Sequence, residues 1–518
     1  MGALSNILGF SFLTLISRVF GLVRDSFIFS VFGTGELNSA FLLAFSIPNL
    51  FRRLLGEGAL TSALLPVFAS EYQRNGKGKA FQLLDKILSR LMVILFFFVG
   101  MGIFFCLLIL HSGLLSLRWR LCFSFTAILL PYMFFVCSAA LLAAVLNVFG
   151  KFFLHSSNAI WLNLAMIVAL IIGNFFPKTW HIYLLCGGVL VGGMLQMLIL
   201  WYGLVRLGWK FHFDLGRDGN VDNVQRLFFP GVAGAATVQI NVVVSRGLAY
   251  FASENAVALL YLANRLVEIP MGLFVTAIAT VIFPRLSNFE AKEESLLLAK
   301  EFKRGIFLTL MIVFPAMVGI FSLDRTILEL LFHWRNFTER DMGLLLPILR
   351  LFLLALPFYA LSTFLIRGYH CKKNTRTPMV IALVHFFINT ILTLGLMFYW
   401  KSVGIALANL LVAVIQTVLL HRGLQRRYEE FRFKIWTKHL WNMLLASVAM
   451  GLVVWNLDHV LRPYGPPKVH SLISLGINIP LGVALYFGLL YILEGRKPLR
   501  DWDQLRKQWR ERIGKNIT

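Results

Sequence analysis

Arg18, Arg24, Asp25, Arg52, Arg53 and Glu57 stand inside or at the edge of the first two long apolar stretches of the sequence, and a later stretch carries Arg265 with Glu268 one helical turn on. A charged side chain at the centre of a bilayer costs about 2.5–3.5 kcal/mol on insertion scales, so such residues face a protein interior or a watery cavity. Four positive charges against two negative ones leave the first group net positive. A guanidinium fork holds two phosphate oxygens at once, so the chemistry on offer is anion binding. Arg18 and Asp25 are seven apart and share a helical face, whereas Arg24 lies about 120° away on an ideal helix. All three face one cavity only if the helix bends, and Gly21 is the place for that. Pro48 is expected to break the second stretch just before Arg52, so that irregular backbone lines a cavity and not lipid. A purely structural alternative pairs Arg53 with Glu57 and Arg18 with Asp25 and lets the remaining arginines snorkel to headgroups. The surplus of positive charge favours the anion site.

Other candidates are weaker. Arg246, Glu254 and Arg350 lie near the ends of their stretches, where snorkelling suffices. His155, His370 and His385 lack ligand-like spacing. No GxSxG, HExxH, phosphate-loop or paired-carboxylate motif occurs, which argues against an enzyme or an ATP-driven pump, and no metal or cofactor is expected. Five cysteines, Cys106, Cys122, Cys137, Cys186 and Cys371, are scattered without metal or redox spacing and read as small apolar fillers.

These residues must be positioned by transmembrane helices. The chain is 58% hydrophobic and only 14% charged, with a mean hydropathy of +0.75. Soluble domains average about 25% charged residues, so lipid must be the solvent for most side chains. A helix needs about 20 residues to cross the hydrocarbon core. Runs of that kind lie near 6–32, 37–69, 88–110, 121–147, 153–174, 182–205, 226–251, 255–287, 304–323, 343–369, 377–399, 402–422, 438–458 and 471–493, about fourteen spans. The first run lacks the cleavage site of a secretory signal and is expected to stay in the mature protein. An even count puts both termini on one side. The loops on that side hold 33 Lys and Arg, those on the other 9, which places the termini in the cytoplasm. The formal charge of +24 therefore reflects topology and no nucleic-acid partner, since the basic residues sit in short gaps between apolar runs.

The chain also repeats. Residues 131–163 overlay 357–389 without a gap, pairing Pro131 with Pro357 and Asn163 with Asn389, and residues 38–71 overlay 256–289, pairing Pro66 with Pro284. Six helices separate the copies, so the halves form a parallel repeat of two six-helix lobes related by an axis along the membrane normal, followed by two extra helices. The expected division is 1–215 and 216–430 for the lobes, 431–495 for the extra helices and 496–518 for a basic tail.

The run SRVFGLVRD at 17–25, then NSAFLLAFSIPNLFRRLLGEGALTSALLPVFASEY at 38–72 and NRLVEIPMG at 264–272, resembles the signature of the MurJ/MviN family of lipid II flippases. The resemblance implies an all-α exporter fold of the MOP superfamily in the bacterial inner membrane, acting as a monomer on lipid II, the undecaprenyl-pyrophosphate-linked peptidoglycan precursor, by alternating access. It places Arg18, Arg24, Arg52 and Arg265 at the family's functionally important positions in a cationic cavity, and assigns the helices at 438–458 and 471–493 to a groove for the lipid tail. This chain departs from some members in carrying Ser39 and Asn264 where they carry Asp. Its seventh span has no carboxylate to match the one that helps bind sodium in some relatives, which speaks against sodium coupling. The competing readings are an exporter of another lipid-linked oligosaccharide or of cationic drugs, which for drugs should line its cavity with carboxylates, and a polyprenyl-phosphate enzyme, which would need acidic metal ligands or a catalytic His near a membrane face.

Overall fold

The computed structural model describes residues 2–54, 60–113, 115–433, 437–462 and 466–495, without the side chains of 2–15, 229–235, 237 and 238. Glu57 and Pro463 lie outside them. The described residues form helices and no strand. They divide into two compact units, one reaching to Tyr250 and the other starting at Phe251. The first contains α1 (Gly2–Phe32), α2 (Glu36–Phe51), α3 (Leu60–His111), α4 (Leu117–Leu129), α5 (Pro131–Val148), α6 (Phe152–Gly173), α7 (His181–Val205) and α8 (Gly219–Ala252) to its last turn. The second contains α9 (Ala256–Pro270), α10 (Thr276–Ala291), α11 (Ser295–Ser322), α12 (Asp324–Leu331), α13 (Glu339–Cys371), α14 (Arg376–Arg427), α15 (Lys438–Leu461) and α16 (Pro467–Glu494).

The described residues of the fourteen apolar runs fall almost entirely on helix, but not one run to one helix. Among the described residues ten helical segments are long and apolar enough to cross a membrane. The run at 37–69 is shared between α2, of 16 residues, and the start of α3, and the run at 121–147 is cut at Pro131 into α4 and α5. Proline explains the second cut, since it lacks the N–H the preceding turn requires and suits the first turn of a new helix. Conversely, α3 and α14 are 52 residues each, and each contains a non-helical residue, Gly76 (φ 79°) and Lys401 (φ 48°). Lys401 separates the runs at 377–399 and 402–422.

The backbone breaks carry the duplication more clearly than the side chains do. The register that lays 38–71 over 256–289 carries Gly76 onto Glu294, in the connection between α10 and α11. It also carries Arg53, in a π-type turn at 52–54, onto Met271, the first residue of a π-type turn at Met271–Val275. The register of 131–163 over 357–389 sets the Lys401 break against Phe175, between α6 and α7.

Each unit has a close-packed interior. In the first, α5 is buried on nearly every side and α7 crosses it so closely that a Cβ at Gly193 would come within 2.5 Å of the Tyr132 ring. In the second, a Cβ at Gly305 would stand 2.0 Å from the Phe364 ring. Outward faces stay apolar: Phe96, Phe97 and Phe104 of α3 are each about two-thirds exposed, as side chains in contact with lipid must be. All five cysteines are buried thiols without a disulfide.

Candidate functional site

The charged residues of α1 and α2 separate into a closed group and an open one. Arg24 is 8% exposed and Asp25 is fully buried. Arg24 donates from Nε (3.0 Å) and NH2 (2.6 Å) to one oxygen of Asp25, and from NH1 to Asn163 Oδ1 of α6 (3.0 Å). Asn163 in turn donates to the Ser17 carbonyl of α1 (3.3 Å). Charge pairing and the amide together satisfy a guanidinium that could not otherwise be buried. Asp25 therefore pairs with its chain neighbour and not with Arg18. Asn163 is a site residue that appeared in the sequence only as a mark of the repeat.

Arg18 is half-buried and Arg53 exposed, and neither makes an ion pair among the described residues. Arg52 is half-buried and donates from Nε to Asn49 Oδ1 (3.2 Å). Asn49 also caps the Phe45 carbonyl (2.9 Å), beside the donor that Pro48 removes from the helix ladder. Pro48 stays within α2 and the wide turn follows it at 52–54, so the backbone departs from helix beside Arg52, four residues later than Pro48 itself. Turns of this type concentrate at functional sites. Gly21 is buried within a continuous α1 and introduces no break there.

In the second unit Arg265 of α9 is one-quarter exposed and its NH1 lies 3.5 Å from Glu268 Oε2, while Asn264 donates to Glu268 Oε1 (2.8 Å). Glu268 is half-exposed, so this pair is looser than the buried one in α1.

A second polar cluster escaped the sequence altogether. Asp458, on α15 and 3% exposed, accepts from Thr326 of α12 (2.9 and 3.0 Å) and Ser474 of α16 (2.5 Å), with His470 at 3.8 Å and Arg462 at 3.9 Å. Nearby, Arg350 does not snorkel: its Nε binds Asp324 (2.7 Å) and its guanidinium lies over Phe321. The cluster joins three helices, and its Thr326 partner lies 132 residues from Asp458, which is why no motif betrays it.

Long helices with lipid-exposed flanks, two units with matching backbone breaks and intramembrane arginines define a multi-pass α-helical membrane protein. Residues 28–476 match the family model described as "Lipid II flippase MurJ". The chain is 31% identical over 493 residues to the probable lipid II flippase MurJ of Bdellovibrio bacteriovorus, covering 93% of this chain and 92% of the relative. A solved structure of lipid II flippase MurJ in an inward closed conformation superposes with a TM-score of 0.77 at 25% identity, over 93% of this chain and 98% of that one. An inward-facing multidrug transporter of the MATE family, of the MOP superfamily, superposes at 0.65 with 14% identity over 81% of this chain and 98% of that one, a likeness of fold alone. The chain belongs to the MurJ family of lipid II flippases.

Proposed function

We propose that this protein moves lipid II from the cytoplasmic to the outer leaflet of the bacterial inner membrane by alternating access, as a monomer with both termini in the cytoplasm. Family membership supports the substrate, and one local observation supports the route: Asp25 is spent on Arg24, so α1 and α2 keep a surplus of guanidinium, with Arg18 and Arg53 outside any ion pair among the described residues. Arg18, Arg52, Arg53 and Arg265 then meet the pyrophosphate, each able to hold two oxygens. Arg24 contributes through Asp25 and Asn163 in the state seen here, holding α1 to α6, and becomes a ligand only if that group opens. The α15–α16 pair is the proposed groove for the lipid tail, and residues 1–215 and 216–430 the moving lobes.

The substrate is tested by asking whether the protein restores growth to a flippase-depleted strain and clears lipid II from the inner leaflet. A well-inserted protein that leaves lipid II in the inner leaflet would overturn the reading. A reporter fused after Lys438 should read cytoplasmic, and one near Pro463 external.

A further inference from the structure

At one end of α14 a cavity of about 580 Å³ is lined by Arg422, Gln425, Arg426, Arg432 and Phe433. Arg422 and Arg426 make no ion pair or side-chain hydrogen bond among the described residues. All three arginines are exposed, so water screens their mutual repulsion, and the hollow concentrates positive charge where an anion can reach it.

The hollow is held in shape by its surroundings. Phe431 is 1% exposed and packs on Phe302 at 4.6 Å between ring centres, and Glu430 binds Lys372. Gln425 donates to the Phe433 carbonyl (2.7 Å), and Arg432 Nε donates back to the Gln425 carbonyl (3.3 Å) while its NH1 meets Glu429 (3.0 Å). The turn that carries Arg432 is thereby fixed against the helix that carries Arg422 and Arg426.

What the hollow adjoins identifies its occupant. Leu411, Ile415, Val418 and Leu419 of α14 are each 36–40% exposed, an apolar face of the kind lipid chains cover in a membrane protein. At 100° per residue, positions 411, 415, 418, 419, 422 and 426 fall within a sector about 100° wide. The apolar stripe therefore runs straight into the two arginines, at the end of the 402–422 apolar run. A soluble phosphate would need the arginines and not the stripe. A zwitterionic lipid would need the stripe and not the arginines.

We propose that this pocket binds the phosphodiester headgroup of an anionic phospholipid of the surrounding bilayer, with its acyl chains along the Leu411–Leu419 face of α14. The site stands apart from the arginines of α1, α2 and α9 and does not rest on the substrate reading. A basic residue near an anionic lipid surface contributes about 1 kcal/mol, or about fivefold in affinity, so removing all three arginines should weaken binding on the order of a hundredfold.

The test titrates the purified full-length protein in detergent with phosphatidylglycerol, phosphatidylcholine, lipid II and inorganic phosphate, reading bound lipid by native mass spectrometry. The Arg422→Ala, Arg426→Ala, Arg432→Ala triple variant and the single variant Arg426→Gln are compared with wild type, with thermal unfolding checked for each. The single variant keeps the proposal falsifiable if the triple variant does not fold. The expected result is tight phosphatidylglycerol binding to wild type, a roughly hundredfold loss in the triple variant and about fivefold in Arg426→Gln, with phosphatidylcholine weak throughout and lipid II binding unchanged. Unaltered phosphatidylglycerol binding in folded variants would overturn the proposal. So would phosphatidylcholine binding as tightly as phosphatidylglycerol, displacement of the lipid by millimolar phosphate, or parallel loss of lipid II, which would give the pocket to the substrate.

Discussion

Two polar regions inside this molecule obey opposite bookkeeping. Around Asp458 the carboxylate meets two hydroxyls, a histidine and an arginine, and its neighbours Asp324 and Glu329 are matched by Arg350 and Arg325. On α1 the Asp25 carboxylate is closed off with Arg24, while Arg18 and Arg53 make no ion pair among the described residues. Balanced charge with saturated hydrogen bonds fastens helices together, because nothing is left over for a ligand. Surplus charge of one sign is costly in a fold and is kept where a ligand of the other sign supplies the balance. The first region ties α12, α15 and α16 within the second unit. The second is where an anionic headgroup would pass.

The sharpest way to break this contrast is Asp458→Ala. Removing one member of a buried polar group typically costs about 3–5 kcal/mol, because the partners stay buried without it. Thermal unfolding in detergent should fall accordingly, while lipid II binding per folded molecule is retained. Loss of lipid II binding from folded protein would show that balance does not distinguish structure from function here.

Asp25→Asn comes next. The amide keeps the shape but exchanges a charged acceptor for a neutral one, so the Arg24 contact weakens by about 1.5–3 kcal/mol, the usual worth of a hydrogen bond to a charged group. Transport in a complementation assay should drop while headgroup binding survives. If binding vanishes from a folded variant, Asp25 belongs with the ligand-facing residues and the division within α1 is wrong.

Much of this was legible beforehand and some was not, for reasons of distance along the chain. Membrane spans are written in apolar length alone, so the described residues of every run lay almost entirely on helix. The Lys401 break was visible as a short polar interruption, but the cut at Pro131 was not, because the flanking residues remain apolar. The Arg24–Asp25 pair defeated helical-wheel reasoning, since neighbours point about 100° apart and only the reach of an arginine brings them together. Asn163 and Asp458 are polar residues in apolar stretches, and each has a partner more than 130 residues away, Arg24 for the first and Thr326 for the second. No local pattern reports a contact of that kind.

Arg52→Ala examines the open side of the contrast. If Arg52 holds pyrophosphate oxygens, its loss should weaken lipid II binding about ten- to a hundredfold, corresponding to about 1.5–3 kcal/mol, with little change in unfolding temperature. Arg52→Lys should rescue only partly, because an ammonium offers a point charge and not a fork. Wild-type binding by a well-inserted alanine variant would return Arg52 to a structural role.

The smallest effect concerns balance outside the membrane, where water does most of the screening. Asp218, in the connector before α8, accepts from Lys86 Nζ (2.8 Å) and, as a helix cap, from the Val221 backbone N–H (2.9 Å). Partial burial pushes its carboxyl up, but the Lys86 ammonium and the backbone donors at Val221 and Asn220 outweigh that, so its pKa lies below the usual value. A carboxyl depressed on folding stabilises above its unfolded value of about 3.9, and the gain is lost as pH falls through the lower folded value. Asparagine caps a helix about as well as aspartate, so Asp218→Asn isolates the charge. With Asp218 39% exposed, the pair is discounted to the range of surface ion pairs, about 0.2–1 kcal/mol. Wild type should unfold slightly later than the variant at pH 7, and the two curves should converge as the solution is acidified below the unfolded value of about 3.9 and through the lower folded one. A gap that persists unchanged at the acid end would show that it does not come from the carboxylate's charge.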